Sequence, residues 1–208
     1  MVAAEGWIVR LINNYAAESR RDGRMTMTAK LPSRLHHTAY VSKDLEATRH
    51  FYEDILGFPL VATWCEQEEL FGKERTYCHC FFGLADGSAL AFFQFANDSD
   101  QQEFGPELAS SPFRHVALNV DEETQAELER RIKDAGLEAT YVLEHGYCRS
   151  VYVVDPDGMI VEFTRDADHA DQINAIRAKD AHSELKRWLA GDHTPNNDVR
   201  PSTLEAAA

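Results

Sequence analysis

HTAYVSKDLEATRHFYEDILGF, residues 37–58, and HVALNVDEETQAELERRIKDAGL, residues 115–137, are two versions of one pattern. Each opens on a histidine, His37 or His115, that starts an alternating strand. An aspartate follows, then an amphipathic stretch, then a glycine and a large apolar residue. The two units also close alike. Asp86-Gly87 precedes the apolar run SALAFFQF (88–95), and Asp157-Gly158 precedes MIVEF (159–163), so a turn feeds a final strand both times. The second of these strands carries Glu162.

Local signals fill in what lies between. Asp44 is a helix N-cap ahead of an apolar face of Leu45, Tyr52, Ile55 and Leu56, and Gly57 is the stop. The counterpart helix begins at Asp121, carries Leu128 and Ile132, and stops at Gly136. β-rich runs follow each helix, at 60–64 and 77–84 in the first unit and at 139–143 and 150–154 in the second. The order is strand, helix, then three strands, twice over, which predicts an α+β fold.

The modules span 34–96 and 113–165 inside a domain of 31–165, and 97–112, rich in Asp, Gln, Ser and Pro, reads as the linker between them. Residues 1–30 are an N-terminal extension in which Trp7, Ile8, Leu11, Ile12 and Tyr15 fall at helical spacing. Residues 166–208 are a helical tail with Ile173, Ile176, Leu185, Trp188 and Leu189 as its apolar points.

The chain has 208 residues, 44% hydrophobic and 27% charged, enough for one substantial core or for two small modules sharing one. A net charge of −14 with no basic block argues against nucleic acid as a partner, since phosphate backbones are held by clustered cations. No apolar stretch reaches transmembrane length, and the N-terminus lacks the apolar core of a signal peptide. The expected location is therefore cytoplasmic, with no membrane partner. Cys65, Cys78, Cys80 and Cys148 lack paired zinc-ribbon spacing. On a strand Cys78 and Cys80 share one face and His79 takes the other, so these three do not converge on one ion. The cysteines read as small buried thiols.

His37, His115 and Glu162 are the candidate metal ligands. Two imidazoles and a carboxylate on one side of a metal leave other positions open, as in non-haem Fe(II) sites that activate oxygen. The same donors suit Mn, Ni, Co or Zn. A glutamate within the apolar strand MIVEF is costly to bury without a cation or partner. His36 competes with His37, but adjacent strand residues face opposite ways and His37 matches the register of His115.

These residues resemble the vicinal oxygen chelate superfamily of glyoxalase I, bleomycin and fosfomycin resistance proteins, methylmalonyl-CoA epimerase and extradiol dioxygenases. The resemblance implies two βαβββ modules curled into an incomplete barrel around a metal, with helical N- and C-terminal extensions added here. It places the ligands at His37, His115 and Glu162. The stretch HGYCRSVYVVDPDGMIVE, residues 145–162, is similar to the extradiol dioxygenase signature. That similarity gives His145 and Tyr152 catalytic roles, lining the metal pocket and hydrogen-bonding a bound catechol-like substrate, with His145 as proton donor. It implies an Fe(II) enzyme cleaving a small aromatic diol.

Two departures are visible. Residues 97–112 contain no histidine, where extradiol enzymes usually carry a further acid-base His. On the closing strand of the first module, where glyoxalases place a fourth ligand, Gln94 is the only candidate. The alternatives are an oxygen-independent glyoxalase, epimerase or lyase type of metalloenzyme, and a metal-free, ligand-sequestering resistance protein. Superfamily members often dimerise, so a homodimer is expected, with the terminal segments available to it.

Overall fold

The computed structural model describes residues 31–106, 111–137, 139 and 141–199. The helical reading of residues 1–30 lies outside them. Among the described residues eight strands form two four-stranded mixed sheets, and neither closes into a barrel.

In the first module β1 (His37–Val41) leads to helix α1 (Leu45–Arg49), then β2 (Leu60–Leu70), β3 (Lys73–Gly83) and β4 (Ala89–Phe95), in the spatial order β1-β4-β3-β2. The second module has β5 (His115–Asn119), α3 (Glu122–Asp134), β6 (Tyr141–Glu144), β7 (Cys148–Val154) and β8 (Ile160–Asp166), ordered β5-β8-β7-β6. In both, the first strand pairs in parallel with the last and the rest are antiparallel. The two modules thus share one βαβββ plan. A short helix α2 (Asp98–Phe104) precedes β5, and α4 (Ala170–Leu189) follows β8. Among the described residues no helix is long and apolar enough to cross a membrane.

The expected caps are in place. Asp44 accepts from the Glu46 and Ala47 amides, and Asp121 from the Thr124 amide. Gly57 ends the first helical segment at φ +82°, a conformation that a side chain would strain. The path there differs from a simple helix: His50–Ile55 winds as a π-helix, with the Leu56 amide donating to the Phe51 carbonyl at 3.0 Å. The linker differs too. Asn97 caps α2 by accepting from the Asp100 amide, so part of 97–112 is helical.

Period-two alternation sorts each sheet into a core face and an outer face. Cys80 and Phe82 on β3, Leu90 and Phe92 on β4, Val153 on β7, and Val161 and Phe163 on β8 join Phe51, Tyr52, Leu56, Leu128 and Ile132 in one core. Both modules therefore bury the helix-covered side of their sheets together. Tyr52 sits at the junction, fully buried, its ring against Phe82 and Phe92 and its hydroxyl donating to Asp155 Oδ2 at 2.9 Å. Asp155 in turn accepts from the Asp157 and Met159 amides, which builds the turn before β8. Burial pushes the Asp155 carboxyl above the usual range. The Lys43 amide, just after β1, donates to Asp157 Oδ1 at 2.8 Å, so the end of β1 is fastened to the second module.

Candidate metal centre

His115 and Glu162 come together on the outer face of the second sheet. His115 pairs with Ile160 and Ala117 with Glu162, which sets the two side chains one step apart on neighbouring strands. His115 Nε2 lies 2.9 Å from Glu162 Oε2. The other ring nitrogen, Nδ1, lies 3.0 Å from the Pro112 carbonyl oxygen. A carbonyl only accepts, so Nδ1 carries a proton and Nε2 is the nitrogen turned to the carboxylate. Two lone pairs do not attract each other: the contact needs a proton or a cation between them. A histidine whose far nitrogen donates to a backbone carbonyl is also the usual posture of a metal ligand. Glu162 is only 6% exposed, so water does little to relieve it.

Tyr152 stands directly across from Glu162 on β7, and Tyr141 across from Tyr152 on β6. The Tyr152 ring meets His115 edge-on at 5.8 Å and Tyr141 at a tilt at 4.5 Å. The Tyr152 hydroxyl is 3.4 Å from His145 Nε2. Burial, with Glu162 nearby, pushes the Tyr152 hydroxyl well above the ordinary phenol range. The Tyr141 hydroxyl is buried with no hydrogen-bond partner. Tyr141 escaped the sequence reading because a tyrosine in a strand is an ordinary core residue. Its even offset from Leu143 carried no chemical signal.

His37 is elsewhere. It starts β1 on the outer face of the first sheet, exposed, with its Nδ1 at 2.7 Å from His36 Nδ1 and its ring 5.5 Å from Phe81 and 6.1 Å from His79. His79 stacks on Phe93 at 3.6 Å, and its Nε2 is buried without a partner. Burial first, then His37, draws the His79 imidazole below its usual pKa. Among the described residues no group of three or more His, Cys, Asp or Glu side chains could hold one ion. One chain thus brings together His115 and Glu162, with His145 and Tyr152 beside them, and leaves His37 apart.

The register also shows what stands at the matching points of the first module. His37 pairs with Ala89, so Ala91 occupies the place of Glu162, and Phe81, across from Ala91, that of Tyr152. Gln94 is on the opposite, helix-covered face, where it accepts from the Leu45 amide and donates to the Lys43 carbonyl. It is a helix-start clamp and brings no donor to the site. Of the phenylalanines of β4, Phe92 belongs to the core, and it joins Phe93 and Phe95 in lining a cavity of about 610 Å³ together with Val41, Tyr77 and His115. Cys78 and Cys80 do lie on the face opposite His79, 3.9 Å apart at sulfur, and burial pushes the Cys78 thiol up to about 12. Cys65 is exposed rather than buried.

A family model described as the Glyoxalase/Bleomycin resistance protein/Dioxygenase superfamily matches residues 34–163. The chain belongs to this superfamily. The superfamily's description names two kinds of enzyme beside a resistance protein. An uncharacterized protein of Escherichia coli, YaeR, is 28% identical over 132 residues, 62% of this chain and 92% of that protein. The structure of a genomically encoded fosfomycin resistance protein, FosX, from Listeria monocytogenes aligns at TM-score 0.50 and 22% identity, covering 68% of this chain and 99% of that one. Lactoylglutathione lyase from Agrobacterium tumefaciens aligns at TM-score 0.46 and 22% identity, over 65% and 95% of the two chains. At such identity the likeness to FosX concerns the fold.

Proposed function

We propose that this chain is a divalent-metal enzyme acting on a small substrate that chelates through adjacent oxygens, of the extradiol ring-cleaving type, with Fe(II) as its metal and a catechol-like aromatic as its substrate. The observation that carries the metal is the 2.9 Å approach of His115 Nε2 to Glu162 Oε2 with Nδ1 committed to Pro112. His115, Glu162 and His37 would hold the cation, which would polarise and acidify the substrate oxygens and, as Fe(II), activate dioxygen.

The remaining roles fall to Tyr152 and His145. Tyr152 keeps its proton at neutral pH, because burial and Glu162 both disfavour the phenolate, so its hydroxyl is a standing donor toward a substrate oxygen. His145 Nε2, 3.4 Å away, is placed to accept or return that proton, which an imidazole does near neutral pH. The Tyr141 and Tyr152 rings, tilted against each other at 4.5 Å, add an aromatic wall beside it. Tyr152 across from Glu162, with His145 at its hydroxyl, is what favours the ring-cleaving reading, since it joins the two residues the signature singled out.

The test is oxygen uptake by Fe(II)-loaded protein over a panel of catechols. Matched loss of catechol and oxygen is expected, with Tyr152→Phe lowering kcat by about 10²–10⁴-fold at unchanged metal content, the range for a positioned proton-transfer group. Turnover of chelating substrates with Mn, Ni or Co under strict anaerobiosis would instead establish the oxygen-independent lyase or epimerase reading.

A further inference from the structure

We propose that Cys65 and Cys78 form a redox-active thiol pair, which exchange with a low-molecular-weight disulfide closes into a bond across the β2–β3 hairpin. This site stands apart from the metal centre and holds whether or not a metal binds there.

The antiparallel register sets Cys65 directly across from Cys78, and Thr63 directly across from Cys80. Opposed residues share a face, and so do alternate residues of one strand, so the three thiols form a single row. The sulfurs of Cys65 and Cys78 are 4.0 Å apart, and those of Cys78 and Cys80 are 3.9 Å apart. The row runs from solvent into the core. Cys65 is exposed, Cys78 half-buried, and Cys80 buried in the cluster that holds Phe82 and Phe92, with the Thr63 hydroxyl 3.6 Å from its sulfur.

Backbone spacing selects which two of the three can bond. A disulfide spans Cα atoms about 4.4–6.8 Å apart, and directly opposed antiparallel residues stand at about 4.5 or 5.5 Å. Side-chain rotation is then enough to bring the Cys65 and Cys78 sulfurs from 4.0 Å to bonding distance. Cys78 and Cys80 are two steps along one strand, about 6.6–6.8 Å at 3.3–3.4 Å per residue, which is the far limit. His79 between them is paired to Trp64 on β2 and Phe93 on β4, so drawing the strand together there would break the ladder on both sides.

Exposure orders the steps. Solvent reaches Cys65, whose thiolate attacks one sulfur of the small disulfide; that S–S bond breaks, and one small thiolate leaves with the electron pair and takes up a proton. The Cys78 sulfur, giving up its own proton, then attacks the Cys65 sulfur of the mixed disulfide and expels the second small thiol. Two protein thiols are oxidised to one disulfide, and one small disulfide is reduced to two thiols. Burial, then Cys80, pushes the Cys78 thiol up to about 12, so it is a poor first attacker and leaves that step to Cys65. Its 4.0 Å approach makes the second step intramolecular, which offsets the small thiolate fraction. Cys80 stays reduced in the core. Cys78 is also directly across from Gln94, the clamp at the start of α1, so the bond forms where β2, β3 and β4 meet that clamp.

The test incubates the folded, full-length protein with oxidised glutathione, blocks the remaining thiols with iodoacetamide, and maps all four cysteines by mass spectrometry of non-reduced peptides. Wild-type protein is expected to carry a Cys65–Cys78 bond and no glutathione, with Cys80 and Cys148 alkylated after unfolding. Reduced glutathione in excess should reopen it. Cys78→Ser is expected to stop at the first step and hold one glutathione on Cys65, whereas Cys65→Ser should form neither product. Cys80→Ala should give the bond in wild-type yield. Cys78→Ala serves in place of Cys78→Ser should the latter fail to fold, with circular dichroism checking the fold of each protein. Four free thiols in the wild type, glutathione accumulating on wild-type Cys65 without the bond, or a Cys78–Cys80 bond instead would each overturn the proposal. So would a Cys65–Cys78 bond that appears only in urea. Each of these outcomes leaves the metal reading untouched.

Discussion

Saturating divalent metal, at 100 times its Kd, is expected to stabilise the wild-type protein by about 2.7 kcal/mol and the Glu162→Ala variant not at all. Glu162 is almost fully enclosed and His115 Nε2 is directed at it, so the two present a nitrogen and a carboxylate to one cation. Removing the carboxylate should cost the metal-free protein little. The histidine left behind is 31% exposed at its side chain and keeps its bond to the Pro112 carbonyl. No uncompensated buried charge is created, which is the usual reason for large losses when one partner of a pair is deleted. The metal-free variant should therefore unfold within about 1 kcal/mol of wild type. Thermal unfolding with and without Mn(II) separates the terms, and an equal metal-dependent rise in Tm for both proteins would show that the ion binds elsewhere.

Tyr52→Ala is expected to destabilise the fold by about 3–5 kcal/mol, as for other large aromatic truncations in a packed core. The side chain is fully buried among Phe51, Phe58, Phe82 and Phe92, and its hydroxyl reaches across to Asp155 in the other module. Tyr52→Phe isolates the polar part. It keeps the ring but leaves the buried Asp155 oxygen without that donor, at a cost of about 1–3 kcal/mol. Urea unfolding of both variants measures the two amounts. A loss below 1 kcal/mol for the alanine variant would contradict a common core, because the residue would then be joining modules that hold together without it.

The repeat was legible because both copies keep the same signals: a histidine at a strand start, an aspartate cap, a glycine stop and an Asp-Gly turn before the last strand. Those signals are local, so strand and helix order followed from them. Elsewhere, local signals were weak or ambiguous. The β2–β3 hairpin runs to Leu70 and Lys73, well past the run ending at Trp64, because residues such as Glu66, Glu68 and Glu69 extend the strand away from the core. There apolar alternation has nothing to report. Helix α2 was hidden in the linker, since Asp, Ser and Gln read as loop residues unless the Asn97 cap is recognised. Gln94 was judged by residue type alone, and its strand parity directs it to the start of α1.

The candidate site shows the same division. His115, Glu162, Tyr152 and His145 gather because they belong to neighbouring strands and one turn of a single module. His37 depends on how two modules meet. The symmetry of a repeat says that His37 and His115 stand at equivalent points, but it does not say that one chain brings them together. Where each module's sheet points follows from the core both modules share and from the contacts of Tyr52 and Lys43, which no short motif records.

The most direct measurement is the metal content of anaerobically purified protein, wild type beside His115→Ala, determined by elemental analysis. The account predicts a divalent metal near one equivalent per chain in the wild type and none in the variant. Wild-type protein without metal after incubation with Fe(II) and Mn(II), or a His115→Ala protein that retains it in full, would contradict a centre built on His115 and Glu162.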